Sequence, residues 1–396
     1  MPDSRNQLVL EVLIRKPAPA QLLDSWHVDP SANRNYDFID GLRGLAILMV
    51  LICHSVYARD HQDVVGRSIL AFTGTLGRGV DLFFTLSGFL ISWPFWKRKA
   101  NRDAALMPKG YGWRRFWKIY PPLALSILLL TPCYILIYSA SEPFLPAAAQ
   151  WLAGLAFVMP VSGALNPVMW SLVVEVHFYV VLPLLFLLTK PLPARTCLWV
   201  ISLFLLVVPT LVSALTGIHA EFAPQIKDPY CLGLGSFCFG VAVAGVDALK
   251  LWDKRWIKIG DAGWFIMLAG LVGLAWAQSG SAGQATLLQG VFNKFYALGT
   301  GCLLCYAASP DNSRMRWLCT PWLRWFGIIS FEWYLFHQPM ITWGRHFFGP
   351  ANGNPLKYAL IMVVPFIASL IVAACVYRLF SLPILKYGRA RKSAHR

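Results

Sequence analysis

The apolar residues of this chain come in long runs rather than in alternation, as in LALSILLLTPCYILIY, VVLPLLFLL and VISLFLLVVPTLVSAL. Alternation would mark half-buried strands. Runs near 20 residues instead match a hydrocarbon core about 30 Å thick crossed at 1.5 Å of rise per residue. The pattern predicts an all-α polytopic membrane protein of about ten transmembrane helices, over 41–58, 78–96, 116–138, 168–189, 197–216, 231–249, 260–278, 288–309, 324–344 and 357–380. An apolar, Pro-bounded piece at 148–160 is too short to cross and reads as a re-entrant or surface helix. Residues 1–38 are polar and of mixed charge, which predicts a cytosolic N-terminal extension with no cleavable signal. A membrane domain then covers 39–382, and 383–396 is a basic cytosolic tail.

Composition agrees, since 57% of the 396 residues are hydrophobic and only 14% are charged. Soluble domains carry roughly 25% charge. The net charge of +16 acquires its meaning from its distribution. With the N-terminus inside, Lys97, Arg98, Lys99, Arg102, Lys109, Arg114, Arg115 and Lys118 fall on the cytosolic side between the second and third spans. The later cytosolic loops and the tail add many more. The external loops hold Arg59, Arg67, Arg78, Lys227, Arg345 and Lys357. This segregation predicts both termini in the cytosol, and it leaves no single basic face for nucleic acid. The nine cysteines are odd in number and lie mostly in or beside apolar runs, which argues against a disulfide framework. Cys302 and Cys305 form a CxxC inside an apolar segment with no second pair, so helix packing explains them better than a metal site. Gly233, Gly235 and Gly240 lack a surrounding βαβ pattern and also read as packing residues. The two halves of the chain show no repeat of the kind many transporters have.

Polar residues inside the spans carry the candidate chemistry, because a titratable group in a bilayer is costly. Arg43 opens the first span in DGLRGLAILMVLICHS, and His54 lies eleven residues on, about 16 Å deeper. Glu175 and His177 lie in WSLVVEVHFYVV, and His337 lies in ISFEWYLFHQP, with Glu332 shallower in the same segment. By depth, Arg43, Arg114, Arg115 and Lys118 group at the cytosolic boundary, where they could meet an anion. His54, Glu175 and His337 group in the middle and outer part as an acid/base site. His177 points about 160° away from Glu175 around the helix and is the weaker candidate. Blander readings stand beside these. Arg43 and the RRFWK run also satisfy snorkelling and the orientation rule, and either histidine could be a hydrogen-bonded packing residue.

Five stretches resemble motifs of the acyltransferase-3 family of integral membrane acyltransferases. They are YDFIDGLRGLAILMVLICHS with Arg43 and His54, GRGVDLFFTLSGFLIS with Asp81 and Ser87, RRFWKIYP, WSLVVEVHFYVVLPLL with Trp170 and Glu175, and ISFEWYLFHQP with His337 and Pro339. They follow the family's order from residue 36 to about 345. One departure is Lys118, where the family often has arginine. Lysine keeps the charge but loses the bidentate fork, which makes Arg115 the better phosphate candidate. The resemblance implies transfer of an acyl group, often acetyl, from cytosolic acyl-CoA to a hydroxyl of an extracytoplasmic or lipid-linked glycan, in a bacterial inner membrane. Relatives also acylate macrolide sugars.

On that implication the acyl-CoA phosphates sit on Arg43, Arg114, Arg115 and Lys118, and the thioester reaches His54. A neutral imidazole there takes the acceptor's proton. Glu175 orients that imidazole or meets the acceptor, Ser87 is a possible oxyanion donor, and His337 completes the catalytic set. No metal is needed. Direct transfer and a covalent acyl-enzyme both stay open. Two other classes remain at this point: a proton-coupled transporter using His54, Glu175 and His337 as a relay, and a membrane sensor or scaffold.

Overall fold

A computed structural model describes residues 37–56, 71–138, 166–218, 229–252, 255–279, 282–308, 313–349, 351 and 354–394. Among these residues there is no strand. The α-helices are α1 (Asp37–Ser55), α2 (Gly79–Ala100), α3 (Tyr111–Tyr138), α4 (Trp170–Leu188), α5 (Ala194–Ile218) and α6 (Pro229–Ala248). They continue as α7 (Arg255–Ser279), α8 (Ala282–Ala308), α9 (Pro321–Ile328), α10 (Ser330–Phe348), α11 (Pro355–Val376) and α12 (Leu382–Ala394). Five of the stretches, Asp37–Ser55, Trp170–Leu188, Ala194–Val212, Gly260–Ala277 and Pro355–Gly388, are long and apolar enough to cross a membrane. The other long helices occupy places where the sequence pattern predicts spans. The 148–160 segment, the extension before residue 37 and most of the 139–167 and 217–230 loops lie outside the described residues.

Several helices begin before their apolar runs. α1 starts at Asp37 and α3 at Tyr111, against predicted starts at 41 and 116. Arg43 therefore stands about 9 Å into α1 and Lys118 about 10 Å into α3, rather than at their ends. At the other end of the chain, α11 runs through a π-helical turn at Tyr377–Ser381 into α12, so the basic tail is helical to Ala394.

An aromatic spine holds α2, α4 and α6 together. Phe178 and Phe237 stack with centroids 3.9 Å apart, and Phe84, Phe95, Trp96 and Phe186 extend the contact. Glycine lets α2 and α6 touch. A Cβ on Gly240 would overlap the carbonyl of Thr85, and one on Gly88 would overlap that of Phe237. Outward faces are apolar instead of polar, with Trp199, Leu203 and Val207 exposed on α5 and Val363, Ile367 and Ile371 on α11. Such surfaces belong in lipid. The protein is integral to a membrane.

Salt bridges and hydrogen bonds pin α1 at both ends. Arg324 of α9 meets Asp37 at 2.8 Å, and Arg345 of α10 donates to the His54 carbonyl at 2.7 Å. The second contact supplies a donor to one of the carbonyls that the last turn of a helix leaves unpaired. It also places Arg345, predicted in an external loop, in the last turn of α10.

Candidate active site

Near the C-terminal end of α1, the His54 ring lies parallel to that of His337, with centroids 5.1 Å apart and 14° between planes. Their facing nitrogens, Nδ1 of His54 and Nε2 of His337, are 2.8 Å apart. His337 is fully buried, and its other nitrogen, Nδ1, is 2.7 Å from the Tyr334 carbonyl and 3.3 Å from that of Trp333. A carbonyl only accepts, so His337 Nδ1 carries the hydrogen. With both rings neutral, His337 Nε2 is then the acceptor, His54 Nδ1–H is the donor, and His54 Nε2 is left with its lone pair.

The local sequence explains how His337 is held. Pro339 has no N–H, so the Leu335 carbonyl loses its helical partner. Asn166 supplies a replacement, its Nδ2 donating to that oxygen at 2.8 Å. Tyr334 is tied in the same way: its hydroxyl donates to the Val168 carbonyl at 3.1 Å and accepts from Ser171 Oγ at 2.9 Å.

On the other side of Tyr334 is a partly open cavity. Arg43 of α1, Ser87 of α2, Lys118 of α3, Glu175 of α4 and Tyr334 of α10 all line it. Glu175 Oε1 accepts from Tyr179 Oη at 2.8 Å and from Ser87 Oγ at 3.1 Å. Lys118 lies in electrostatic reach of Arg43, Glu175, Arg115 and Glu332. Arg115 sits over two rings, with its guanidinium carbon 5.4 Å from the centre of Tyr179 and 5.8 Å from that of Tyr111.

The predicted residues thus regroup. His54 and His337 come together, but Glu175 does not join them; its bonded oxygen faces Tyr179 and Ser87, and His337 takes the place of the His54 partner. Arg43 and Lys118, grouped by depth at the cytosolic boundary, share the cavity of Glu175, and their helices start earlier than the apolar runs. Arg114 is exposed and donates to the Lys109 carbonyl at 2.7 Å, while Arg115 and Lys118 turn inward. Tyr179, Ser171, Tyr334 and Asn166 escaped the sequence reading. Only Tyr179 had a signal, standing one helical turn after Glu175.

A family model described as an acyltransferase domain matches residues 36–376. The chain belongs to the acyltransferase-3 family. All five resembling motifs fall within the matched range, and the enzyme class of this domain is acyl transfer. The chain is 33% identical over 172 residues to the acyltransferase MdmB of Streptomyces mycarofaciens, which covers 41% of this chain and 42% of that protein. It is 24% identical to the putative membrane-bound transacylase BcsY of Komagataeibacter xylinus over 86% of this chain and 82% of that one. It is 26% identical to the peptidoglycan O-acetyltransferase OatA of Listeria monocytogenes over 88% of this chain and 56% of that one. The matched lengths are less than two thirds of MdmB and of OatA. No solved structure is significantly similar to the chain.

Proposed function

We propose that this acyltransferase-3 member moves an acyl group, acetyl in the first instance, from acyl-CoA to a hydroxyl of a glycan outside the cytosol or on a lipid carrier. The observation that carries this reading is the ordered chain from the Tyr334 carbonyl through His337 to His54. It gives His54 Nε2 the lone pair that a general base needs, and it gives the imidazolium formed by proton uptake a partner on Nδ1. His337 acts here as a positioning residue.

In the same reading, Arg43 and Lys118 supply the positive field that holds the anionic donor. Ser87 directs its proton to Glu175, which makes it a poor oxyanion donor in this arrangement. Glu175 balances their charge and, with Tyr179, keeps Ser87 in place. The peptidoglycan O-acetyltransferase name of one relative favours a cell-surface glycan acceptor. Ten spans with both termini cytosolic, in a bacterial inner membrane, would put the donor and acceptor on opposite faces of one site.

The test follows label from [acetyl-14C]acetyl-CoA into glycan, in membranes holding wild-type, His54→Ala or Arg43→Ala protein at equal levels. Label present in wild type, lost in His54→Ala, and weakened in Arg43→Ala at low donor concentration supports the reading. Label that survives in His54→Ala refutes the base, and proton-coupled uptake without CoA release would favour the transporter instead.

A further inference from the structure

Away from the cavity, two backbone positions stand out. Among the described residues, Arg102 (φ 56°) and Lys250 (φ 54°) are the non-glycine residues with positive φ. Arg102 follows the end of α2 and Lys250 follows the end of α6. Glycine or asparagine usually fills such a left-handed position, because a Cβ there crowds the carbonyl and asparagine offsets this with local hydrogen bonds. Both residues line one open concavity formed by the loops after α2, between α4 and α5, and after α6.

Lys99 and Lys190 line the same pocket. Lys99 donates to the carbonyls of Lys190 at 2.7 Å and Thr189 at 3.1 Å, which ties two of the loops together. Asp103 is the acidic residue in the wall, and Arg98, at 3.4 Å, offsets it. Leu106 and Leu192 add apolar surface. Cations at helix C-termini favour the dipole, and the orientation rule favours Lys and Arg on one membrane face. Neither effect requires two of them in left-handed backbone, from separate loops, in the wall of one concavity.

We infer that this pocket binds a polyanion with two or more phosphate groups on an apolar or aromatic body. It shares no lining residue with the Arg43–Glu175–Lys118 cavity, and the inference does not depend on acyl transfer. Two sources carry this chemistry: an anionic phospholipid, which basic pockets between membrane helices hold by its headgroup, or the nucleotide end of a soluble cofactor.

The experiment uses the full chain purified in detergent, as wild type, Arg102→Gly/Lys250→Gly, and Arg316→Ala as a control for lost surface charge. Cardiolipin and 3′,5′-ADP are titrated separately, and the unfolding midpoint is measured without ligand. Glycine suits left-handed backbone, so the double variant is expected to unfold no earlier than wild type. Its affinity for the binding probe is expected to fall at least about tenfold, while Arg316→Ala binds as wild type does. Binding of cardiolipin alone assigns a lipid, binding of 3′,5′-ADP alone assigns a nucleotide, and binding of both assigns the shared phosphates. The inference is overturned if neither probe binds wild type, if the double variant binds as tightly, if Arg316→Ala loses as much, or if the double variant unfolds earlier without ligand.

Discussion

The histidine pair and the charged cavity face each other across Tyr334, yet they are held in different ways. The pair depends on direction: one carbonyl, two rings and 2.7 and 2.8 Å contacts define which nitrogen carries each hydrogen. The Arg345–His54 contact ties α1 to α10 at one end of α1, and the Arg324–Asp37 bridge ties it to α9 at the other. The cavity depends on charge, with Arg43, Lys118 and Glu175 brought from three helices and Glu175 hydrogen-bonded to Ser87 and Tyr179. A directional relay fails when an atom is removed, whereas a charged basin tolerates a change that keeps its field. The first is suited to proton transfer, the second to holding an anion.

That contrast sets the order of expected effects. His54→Ala should lower the rate of acyl transfer by about 10³-fold, since it removes the base itself. His337→Ala should lower kcat by about 10²-fold with donor KM little changed, because it frees His54 to adopt the wrong tautomer. His337→Gln, which keeps an acceptor toward His54, should recover part of that loss; equal loss in both variants would break the relay half of the comparison.

Cavity variants should act mainly on the donor. Arg43→Ala and Lys118→Ala should each raise donor KM about tenfold, while Lys118→Arg should stay near wild type. A kcat defect with unchanged KM would move these cations into the chemistry. Tyr179→Phe removes one of the two hydrogen bonds to Glu175 and should cost about fivefold in kcat/KM. The smallest effect on activity is expected from Asn166→Ala. It leaves the Leu335 carbonyl unpaired, which costs about 1–3 kcal/mol of stability and lowers the Tm, with turnover near wild type below the melting range.

Much of this was legible before the structure. The runs of apolar residues gave an all-helical membrane protein, because period and length along one chain suffice for that. Arg43, His54, Glu175 and His337 were visible as polar residues in apolar surroundings, whose cost in lipid makes them conspicuous. Gly240 could be read as a packing glycine, since no strand pattern surrounded it. Tyr334 and Asn166 were not legible. A tyrosine in an aromatic-rich segment is unremarkable until its carbonyl meets His337, and the Asn166 amide matters only because Pro339, far along the chain, leaves a carbonyl bare.

The sequence by itself determined the class of protein and the supply of titratable groups, both of which depend on local hydrophobicity and on the penalty for charge in a bilayer. Only the tertiary structure decided the partnerships. Depth counted along each helix grouped Glu175 with His54 and His337, but helix starts and neighbouring helices set which side chains actually meet. Thus His54 is bonded to His337, Glu175 to Ser87 and Tyr179, and Arg102 and Lys250 share a pocket although 148 positions separate them. Hydrogen-bond direction and charge proximity are properties of three-dimensional packing, and no one-dimensional pattern contains them.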